Sequence, residues 1–243
     1  MSVPTRAAGP VLRAARQAPH AEIDELTGGG GVCIVVPHPD DETLGCGMAL
    51  ARAAMLSRPV RIVLLTAGEG SHPRSRSLPP RRLAAFRRRE LSGALAVLSP
   101  AAPVPVLALG LPDGRSDVGM LDARRVAAAT RFAEAGCVGA VWSTWAGDPH
   151  CDHLTAARLG QRIADTLGIA WWSVPVWGRF ANVPPPPGLH RYFDPAMRVR
   201  KVRALSRYRS QFTGRIADDP GGFVMPAAIL SHFARAPELF VRG

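Results

Sequence analysis

Short apolar runs alternate with longer amphipathic segments over the first three quarters of the chain. The run at residues 32–36, VCIVV, is rich in β-branched residues and bounded by glycine and proline, which is typical of a strand buried on both faces. A segment of helical spacing follows at residues 43–56. The same alternation predicts further strands at residues 60–66, 104–109, 138–143 and 169–176, separated by helices at residues 82–98, 121–134 and 154–167.

Strands that alternate with helices predict βαβ units, right-handed crossovers and a parallel sheet. We therefore expect a Rossmann-like α/β fold, with a mostly parallel sheet, helices on both faces and a C-terminal extension. Residues 1–31 are expected to be an N-terminal extension with a weak helix, joined flexibly by Gly28–Gly31 to a single α/β domain at residues 32–243.

The last quarter of the chain departs from this alternation. Within the single domain, residues 184–243 form a predicted C-terminal elaboration. It begins with a stiff spacer of four prolines at residues 184–187, continues as a helix at residues 195–213 and ends in a short irregular tail.

Composition limits the classes of protein that fit this chain of 243 residues. No run of about 18 apolar residues and no apolar signal segment is present, so we expect a cytoplasmic protein without a transmembrane segment. The four cysteines are dispersed without a CxxC pair, which predicts reduced thiols.

The net charge of +11 comes almost entirely from arginine, since only Lys201 is lysine. Such a charge favours anionic partners, although a GC-rich coding sequence would produce the same arginine excess.

A contact between the arginine-rich segment 74–89 and a membrane headgroup stays open. So does a nucleic-acid-binding function, although no interleaved pattern of basic and aromatic residues supports it. A dinucleotide-binding enzyme is disfavoured because no GxGxxG follows the first strand.

Two polar loops follow the first and fourth predicted strands. The first is Pro-His-Pro-Asp-Asp-Glu at residues 37–42, and the second is Asp-Pro-His-Cys-Asp-His at residues 148–153. Ligands of open parallel sheets bind beyond the carboxyl ends of the strands, where both loops should lie. Buried charges are rare unless they are paired or bound to metal, so a metal site is the simplest explanation for both loops.

Three protein ligands with an open water position are typical of catalytic zinc. His38 and Asp41 could supply two ligands, and either His150 or His153 the third, which leaves the other histidine free to act as an acid. Asp148 is expected to cap the following helix, with Pro149 at its first position. Asp152 is expected to orient a histidine rather than to bind the metal. Iron or cobalt would also suit this donor set.

The motifs resemble those of the PIG-L/LmbE-like family of zinc-dependent N-acetylglucosaminyl de-N-acetylases. The two polar loops carry most of the resemblance. Weaker matches are Thr-Ala-Gly-Glu-Gly at residues 66–70, Leu-Pro-Asp-Gly at residues 111–114, Arg87 with Glu90, and Lys201, Ala204, Tyr208, Ser210 and Gln211 near the end.

The resemblance implies zinc on His38, Asp41 and His153. It further implies Asp40 as the general base, His150 as general acid or oxyanion stabiliser, and Arg87 with Asp113 as contacts to the sugar. The expected substrate is an N-acetylated amino sugar or glycoconjugate. Anionic substrates of this class would match the positive charge of the protein. No nucleic acid is expected as a partner. A homologue that binds metal and recognises a glycan without cleaving it is the remaining alternative.

Overall fold

The computed structural model describes residues 9–243. Seven strands form one sheet, and helices cover it. The strands are β1 (Gly31–Val36), β2 (Val60–Leu64), β3 (Val106–Ala108), β4 (Val138–Thr144), β5 (Ala170–Val174), β6 (Leu189–Tyr192) and β7 (Glu238–Arg242). The helices are α1 (Pro10–Ala15), α2 (Ile23–Thr27), α3 (Asp41–Met55), α4 (Pro80–Leu98), α5 (Ala123–Glu134), α6 (Cys151–Leu167), α7 (Pro195–Leu205), α8 (Arg209–Phe212) and α9 (Ala227–Arg235).

The sheet has the strand order β3-β2-β1-β4-β5-β7-β6. Strands β1 to β5 pair in parallel, whereas β7 is antiparallel to both β5 and β6. The expected mostly parallel α/β sheet is confirmed. The order reverses between β1 and β4, and such a switch point creates a crevice outside the carboxyl ends of the two strands.

The central strand β1 is buried along its whole length, as its β-branched run predicts. Ile34 and Val36 face a core that contains residues of α3, α4 and α7. Cys33 and Val35 point to the opposite face and pack with residues of α5 and α6. Helices therefore cover both faces of the sheet. No helix among residues 9–243 has the length and hydropathy needed to cross a membrane, and all four cysteines are free.

The predicted C-terminal structure needs two corrections. The helix expected at residues 195–213 is interrupted at residues 206–208 and divides into α7 and α8. The tail expected to be irregular contains α9 and β7, and β7 inserts between β5 and β6. Strands β6 and β7 were missed because both are short, and their antiparallel pairing depends on contacts distant in sequence.

The expected flexible glycine join is also wrong. Gly28 ends α2 with a φ of 59°, and a Cβ atom at this residue would lie 2.4 Å from the carbonyl oxygen of Gly139. Gly31 already belongs to β1 and is buried. The glycines thus permit a tight turn against β4. The division into an extension at residues 1–31 and one domain at residues 32–243 stays a prediction, and residues 1–8 lie outside the described residues.

Helix α3 is interrupted at Cys46, whose φ of −141° and ψ of 25° are not helical. The carboxylate of Glu238 in β7 accepts hydrogen bonds from the backbone amides of Met48 and Ala49, at 2.6 and 2.9 Å. The ammonium group of Lys201 lies 2.8 Å from Glu238 Oε1 and also donates to the carbonyl of Leu44. This buried ion pair therefore joins α7 and β7 to the two halves of α3.

Gly28→Ala should destabilise the protein by more than Gly168→Ala. Both glycines end a helix, with φ values of 59° and 63°, but a Cβ atom at Gly168 meets no atom within 4 Å. Alanine at Gly168 should therefore cost about 1 kcal/mol for the left-handed conformation. Alanine at Gly28 must also displace the Gly139 backbone. Urea unfolding of the two variants measures the difference, and equal losses of stability would contradict this account.

Candidate active site

The pairing of β1 with β4 brings the two polar loops together. Val35 is in register with Ser143, so the two strands end side by side. Residues 37–40 follow β1 and lead into α3, while residues 145–150 follow β4 and lead into α6. The chain thus presents two loops and the beginnings of two helices at one edge of the sheet.

Three side chains from these loops converge on one point. His38 Nδ1 lies 3.2 Å from Asp41 Oδ2, and His153 Nε2 lies 3.6 Å from the same oxygen. One ligand atom from each of the three residues lies within 4.8 Å of the others. Two imidazoles and one carboxylate form a donor set that binds zinc and other divalent metals.

The hydrogen bonds of His153 support this interpretation. Its Nδ1 lies 2.8 Å from Asp148 Oδ2, whereas its Nε2 is buried without a hydrogen-bond partner among the described residues. A buried polar atom without a partner is unfavourable unless it binds something. A carboxylate on one imidazole nitrogen and a metal on the other is a common arrangement in metal sites. The residues therefore fit a metal ion.

Asp148 does not cap α6, contrary to the sequence-based expectation. The helix begins at Cys151, and His150 is its N-cap. Besides His153, Asp148 accepts hydrogen bonds from the backbone amides that follow β5, at residues 176–178. Its carboxylate consequently links the loops after β4 and β5 to the histidine, a role that the sequence analysis missed.

The second nitrogen of His38 faces two further carboxylates. Its Nε2 lies 3.0 Å from Asp152 Oδ2 and 3.0 Å from Asp113 Oδ1. Burial alone would lower the pKa of His38, but hydrogen bonds to Asp113, Asp152 and Asp41 raise it well above its ordinary value. Three carboxylates thus surround the His38 ring at 3.0–3.2 Å, and their negative charge favours a cation at this point.

Asp152 is held by the loop that follows β3. It accepts hydrogen bonds from the amides of Gly114 and Ser116 and from the Ser116 hydroxyl. These bonds and His38 hold the pKa of Asp152 below its usual range although burial opposes this. His38, His150 and Asp152 form a second group with the spacing of a metal site. However, the oxygens of Asp152 are already occupied, so the group of His38, Asp41 and His153 is the better candidate.

Asp40 lies beside Asp41 in an unusual backbone conformation. Its φ is 129°, which is rare for a residue other than glycine and costs about 1–3 kcal/mol. Its carboxyl group is buried, and burial raises its pKa well above the ordinary value although the nearby Arg87 guanidinium opposes this shift. Arg87 Nη2 lies 3.2 Å from Asp40 Oδ2 and 2.8 Å from the carbonyl oxygen of Pro39.

Arg87 and Asp113 are thus fixed by protein contacts. Arg87 is buried in α4 and also donates to the carbonyl of Gly68, at 2.9 Å. Asp113 accepts a hydrogen bond from the amide of Gly70 in addition to its contact with His38. Glu69 connects the same two loops, because its carboxylate accepts hydrogen bonds from the amides of Ala67 and Asp113. The sugar contacts expected of Arg87 and Asp113 stay predictions.

His150 lies next to both histidines of the candidate metal site. Its ring centroid is 5.0 Å from that of His38 and 5.2 Å from that of His153. Burial, together with the charges of His153 and His38, lowers its pKa to about 4. Its Nδ1 accepts a hydrogen bond from the amide of Asp152, so the proton of the neutral ring is on Nε2. His150 can therefore donate a hydrogen bond from Nε2.

Comparison with protein families gives one match. The family model described as PIG-L, GlcNAc-PI de-N-acetylase, matches residues 33–164, which are more than half of the chain and include both polar loops. A comparison with curated proteins gave no match to this chain.

Solved structures show the same fold at low sequence identity. The antimicrobial reagent A40926 pseudoaglycone deacetylase is 21% identical, with a TM-score of 0.66 over 86% of this chain and 95% of that one. The N,N'-diacetylchitobiose deacetylase of Pyrococcus horikoshii is 18% identical, with a TM-score of 0.63 over 88% and 83%. A 4-carboxy-2-hydroxymuconate hydratase of a Pseudomonas strain is 20% identical, with a TM-score of 0.59 over 75% and 79%. Because this fold also occurs in a hydratase, it does not by itself define the reaction.

Asp148→Asn should weaken metal binding without unfolding the protein. The amide of asparagine cannot hold the His153 ring as the carboxylate does, and loss of such a partner commonly lowers metal affinity by about 10- to 100-fold. Titration with zinc against a competing chelator measures this change. Asp165→Asn, on the exposed face of α6, is the matched control. Unchanged affinity in Asp148→Asn, with an unchanged melting temperature, would contradict the assignment.

Proposed function

Because this chain belongs to the PIG-L family of GlcNAc-PI de-N-acetylases, we propose that it hydrolyses the N-acetyl group of an N-acetylglucosamine-type sugar or conjugate. The products are acetate and a free amine. The observation that carries this proposal is the convergence of His38, Asp41 and His153, with Asp40 and His150 beside them.

The proposed metal is zinc, held by His38 Nδ1, by the Asp41 carboxylate and by His153 Nε2. A bound divalent cation supplies a nucleophilic water at neutral pH and polarises the acetamide carbonyl. Iron(II) and cobalt(II) accept the same nitrogen and oxygen donors. Two observations support this assignment. His38 Nδ1 lies 3.2 Å from Asp41 Oδ2, and His153 Nε2 has no hydrogen-bond partner among the described residues.

Asp40 is the proposed proton acceptor. Its Oδ2 is engaged by Arg87, and no hydrogen bond within residues 9–243 engages its Oδ1. As the water adds to the acetyl carbon, Asp40 Oδ1 takes its proton. Asp41 is reserved for the metal in this proposal, so the two adjacent carboxylates have different tasks.

His150 is the proposed hydrogen-bond donor to the reacting amide. Its Nδ1 is occupied by the amide of Asp152, so Nε2–H donates to the carbonyl oxygen as negative charge develops there. The C–N bond then breaks as Asp40 returns the proton that it accepted to the departing nitrogen, so Asp40 ends the reaction as a carboxylate. Acetate and the amine remain.

Arg87 and Asp113 are proposed to contact the sugar. Arg87 Nε has no hydrogen-bond partner among the described residues, and Asp113 lies between the loop after β2 and His38. The net charge of +11 keeps phosphorylated, nucleotide-linked and lipid-linked amino sugars within the proposed substrate class. We further propose a cytoplasmic enzyme that acts on small molecules and not on nucleic acid.

A mass-spectrometric screen of acetylated amino sugars and their conjugates tests the function. The purified protein should remove one acetyl group from at least one compound, and a chelator should abolish the reaction until zinc is returned. If the metal-loaded protein removes an acetyl group from none of the compounds, the proposal is overturned. A gel-shift assay in low salt examines the nucleic-acid alternative separately.

Variants of the two neighbouring aspartates should separate their roles. Asp41→Asn removes a charged donor, so metal content and activity should fall together. Asp40→Asn should keep the metal while kcat falls about 10²- to 10⁴-fold, the usual contribution of general acid–base catalysis. Elemental analysis and steady-state kinetics on both variants measure these outcomes. Retention of full activity by metal-loaded Asp40→Asn would show that another group accepts the proton.

A further inference from the structure

The strained backbone of Asp40 is held by a neighbouring carboxylate. The amide of Asp40 donates a hydrogen bond to Glu42 Oε2 at 3.1 Å. Its carbonyl accepts hydrogen bonds from the amides of Thr43 and Leu44, at 3.0 and 2.8 Å, and so begins α3. A non-glycine residue at a φ of 129° persists only where its surroundings fix it. Glu42 is one of these fixing contacts, and it acts on the backbone of the proposed proton acceptor.

Glu42 is itself held by two hydroxyl groups. Its side chain is completely buried. While Oε2 binds the amide of Asp40, Oε1 accepts hydrogen bonds from the hydroxyls of Tyr208 and Thr43. The carboxylate thus bridges the Asp40 peptide and the Tyr208 hydroxyl, so the position of Tyr208 affects that of Asp40.

Tyr208 comes from a distant part of the chain. It lies in the turn between α7 and α8, outside the segment matched by the family model. Its ring is completely buried and makes an edge contact with Phe212, at a centroid distance of 5.7 Å. The neighbouring Ser210 is fixed to α4, because its amide and hydroxyl donate to Glu90. Ring and backbone contacts therefore determine where the Tyr208 hydroxyl points.

We propose that Tyr208 is a positioning residue for deacetylation, which acts through Glu42 on the backbone of Asp40. The proposal rests on the proposed function, in which Asp40 accepts a proton. Within residues 9–243, the buried Tyr208 hydroxyl is bonded to Glu42 and lies near Thr43, and it makes no hydrogen bond with a proposed metal ligand. Its removal should therefore change the rate of the chemical step and leave substrate binding and metal content unaffected.

Tyr208→Phe tests the proposal, because phenylalanine keeps the ring and loses only the hydroxyl. Loss of this hydrogen bond should lower kcat about tenfold, with KM and zinc content unchanged. Tyr192→Phe is the matched control, since Tyr192 is the other tyrosine of the chain and its buried hydroxyl also donates to a carboxylate, Asp194. Equal losses of kcat in both variants would mean that only general stability is affected, and would overturn the proposal.

A double-variant comparison asks whether Tyr208 acts through Asp40. In the Asp40→Asn background, Tyr208→Phe should produce little further loss of kcat, because the group that it positions has been removed. A full additional tenfold loss would show that Tyr208 acts by another route.

If Tyr208→Phe does not fold, Thr43→Val removes the second hydroxyl from the same Glu42 oxygen. Thr43→Val should likewise lower kcat and leave KM unchanged, and an unchanged kcat would contradict the proposal.

Hydrogen–deuterium exchange provides a readout that does not depend on catalysis. Exchange in residues 38–44 should be faster in Tyr208→Phe than in the wild type and in Tyr192→Phe, because the Asp40 turn opens more readily. Unchanged exchange would overturn the positioning role. Faster exchange in a protein that deacetylates no amino sugar would instead show that the positioning is correct and the proposed function is wrong.

Discussion

The parallel pairing of β1 with β4 is the constraint on which the site depends. The two strands are far apart in sequence, yet their registered pairing makes them end together. Each is followed by a short loop and a helix whose first turn carries site residues. No other strand pair would bring His38 and His153 within reach of one carboxylate. The convergence of His38, Asp41 and His153 therefore presupposes this switch point in strand order.

The site concentrates carboxylates, and the fold supplies each of the three described next with protein partners. Asp148 is held by three backbone amides after β5, and Asp152 by the loop after β3. Asp40 is paired with Arg87. Such partners are needed because burial of an unpaired carboxylate is costly, and at Asp40 burial outweighs Arg87 and raises the pKa of the carboxyl group. The site thus draws on the loops after all five parallel strands, as well as on α4.

The sequence predicted those parts of the molecule that depend on local periodicity. Strands β1 to β5 were identifiable from their apolar runs, and the motif-bearing loops from their position after such runs. Strand β7 was missed because Glu238, which begins it, looks like a surface residue when its buried partner Lys201 is not known. The same applies to Asp148. Its position before a helix suggested a cap, whereas the amides that it binds belong to a loop about thirty residues later.

The family, the fold and the enzyme class were predictable from motifs, and the family match confirms the recognition. The contacts that hold the motif residues were not predictable. Nothing in the spacing of the first loop indicates that Asp40 has a φ of 129° or that Tyr208 reaches Glu42. Such contacts depend on how α7 and α8 pack against α3, which no local pattern encodes.

The interruption of α3 has a consequence for the order in which the protein folds. The amides of Met48 and Ala49 find their acceptor in Glu238, about 190 positions later in the chain. Until β7 has docked, the second half of α3 begins with unsatisfied donors, and Lys201 lacks its counter-ion. The helix that carries Asp41 therefore completes its hydrogen bonding only after β7, from the far end of the sequence, has docked. Contacts of such long sequence separation generally slow folding, and a chain in which β7 has not docked leaves the edge of β5 unpaired.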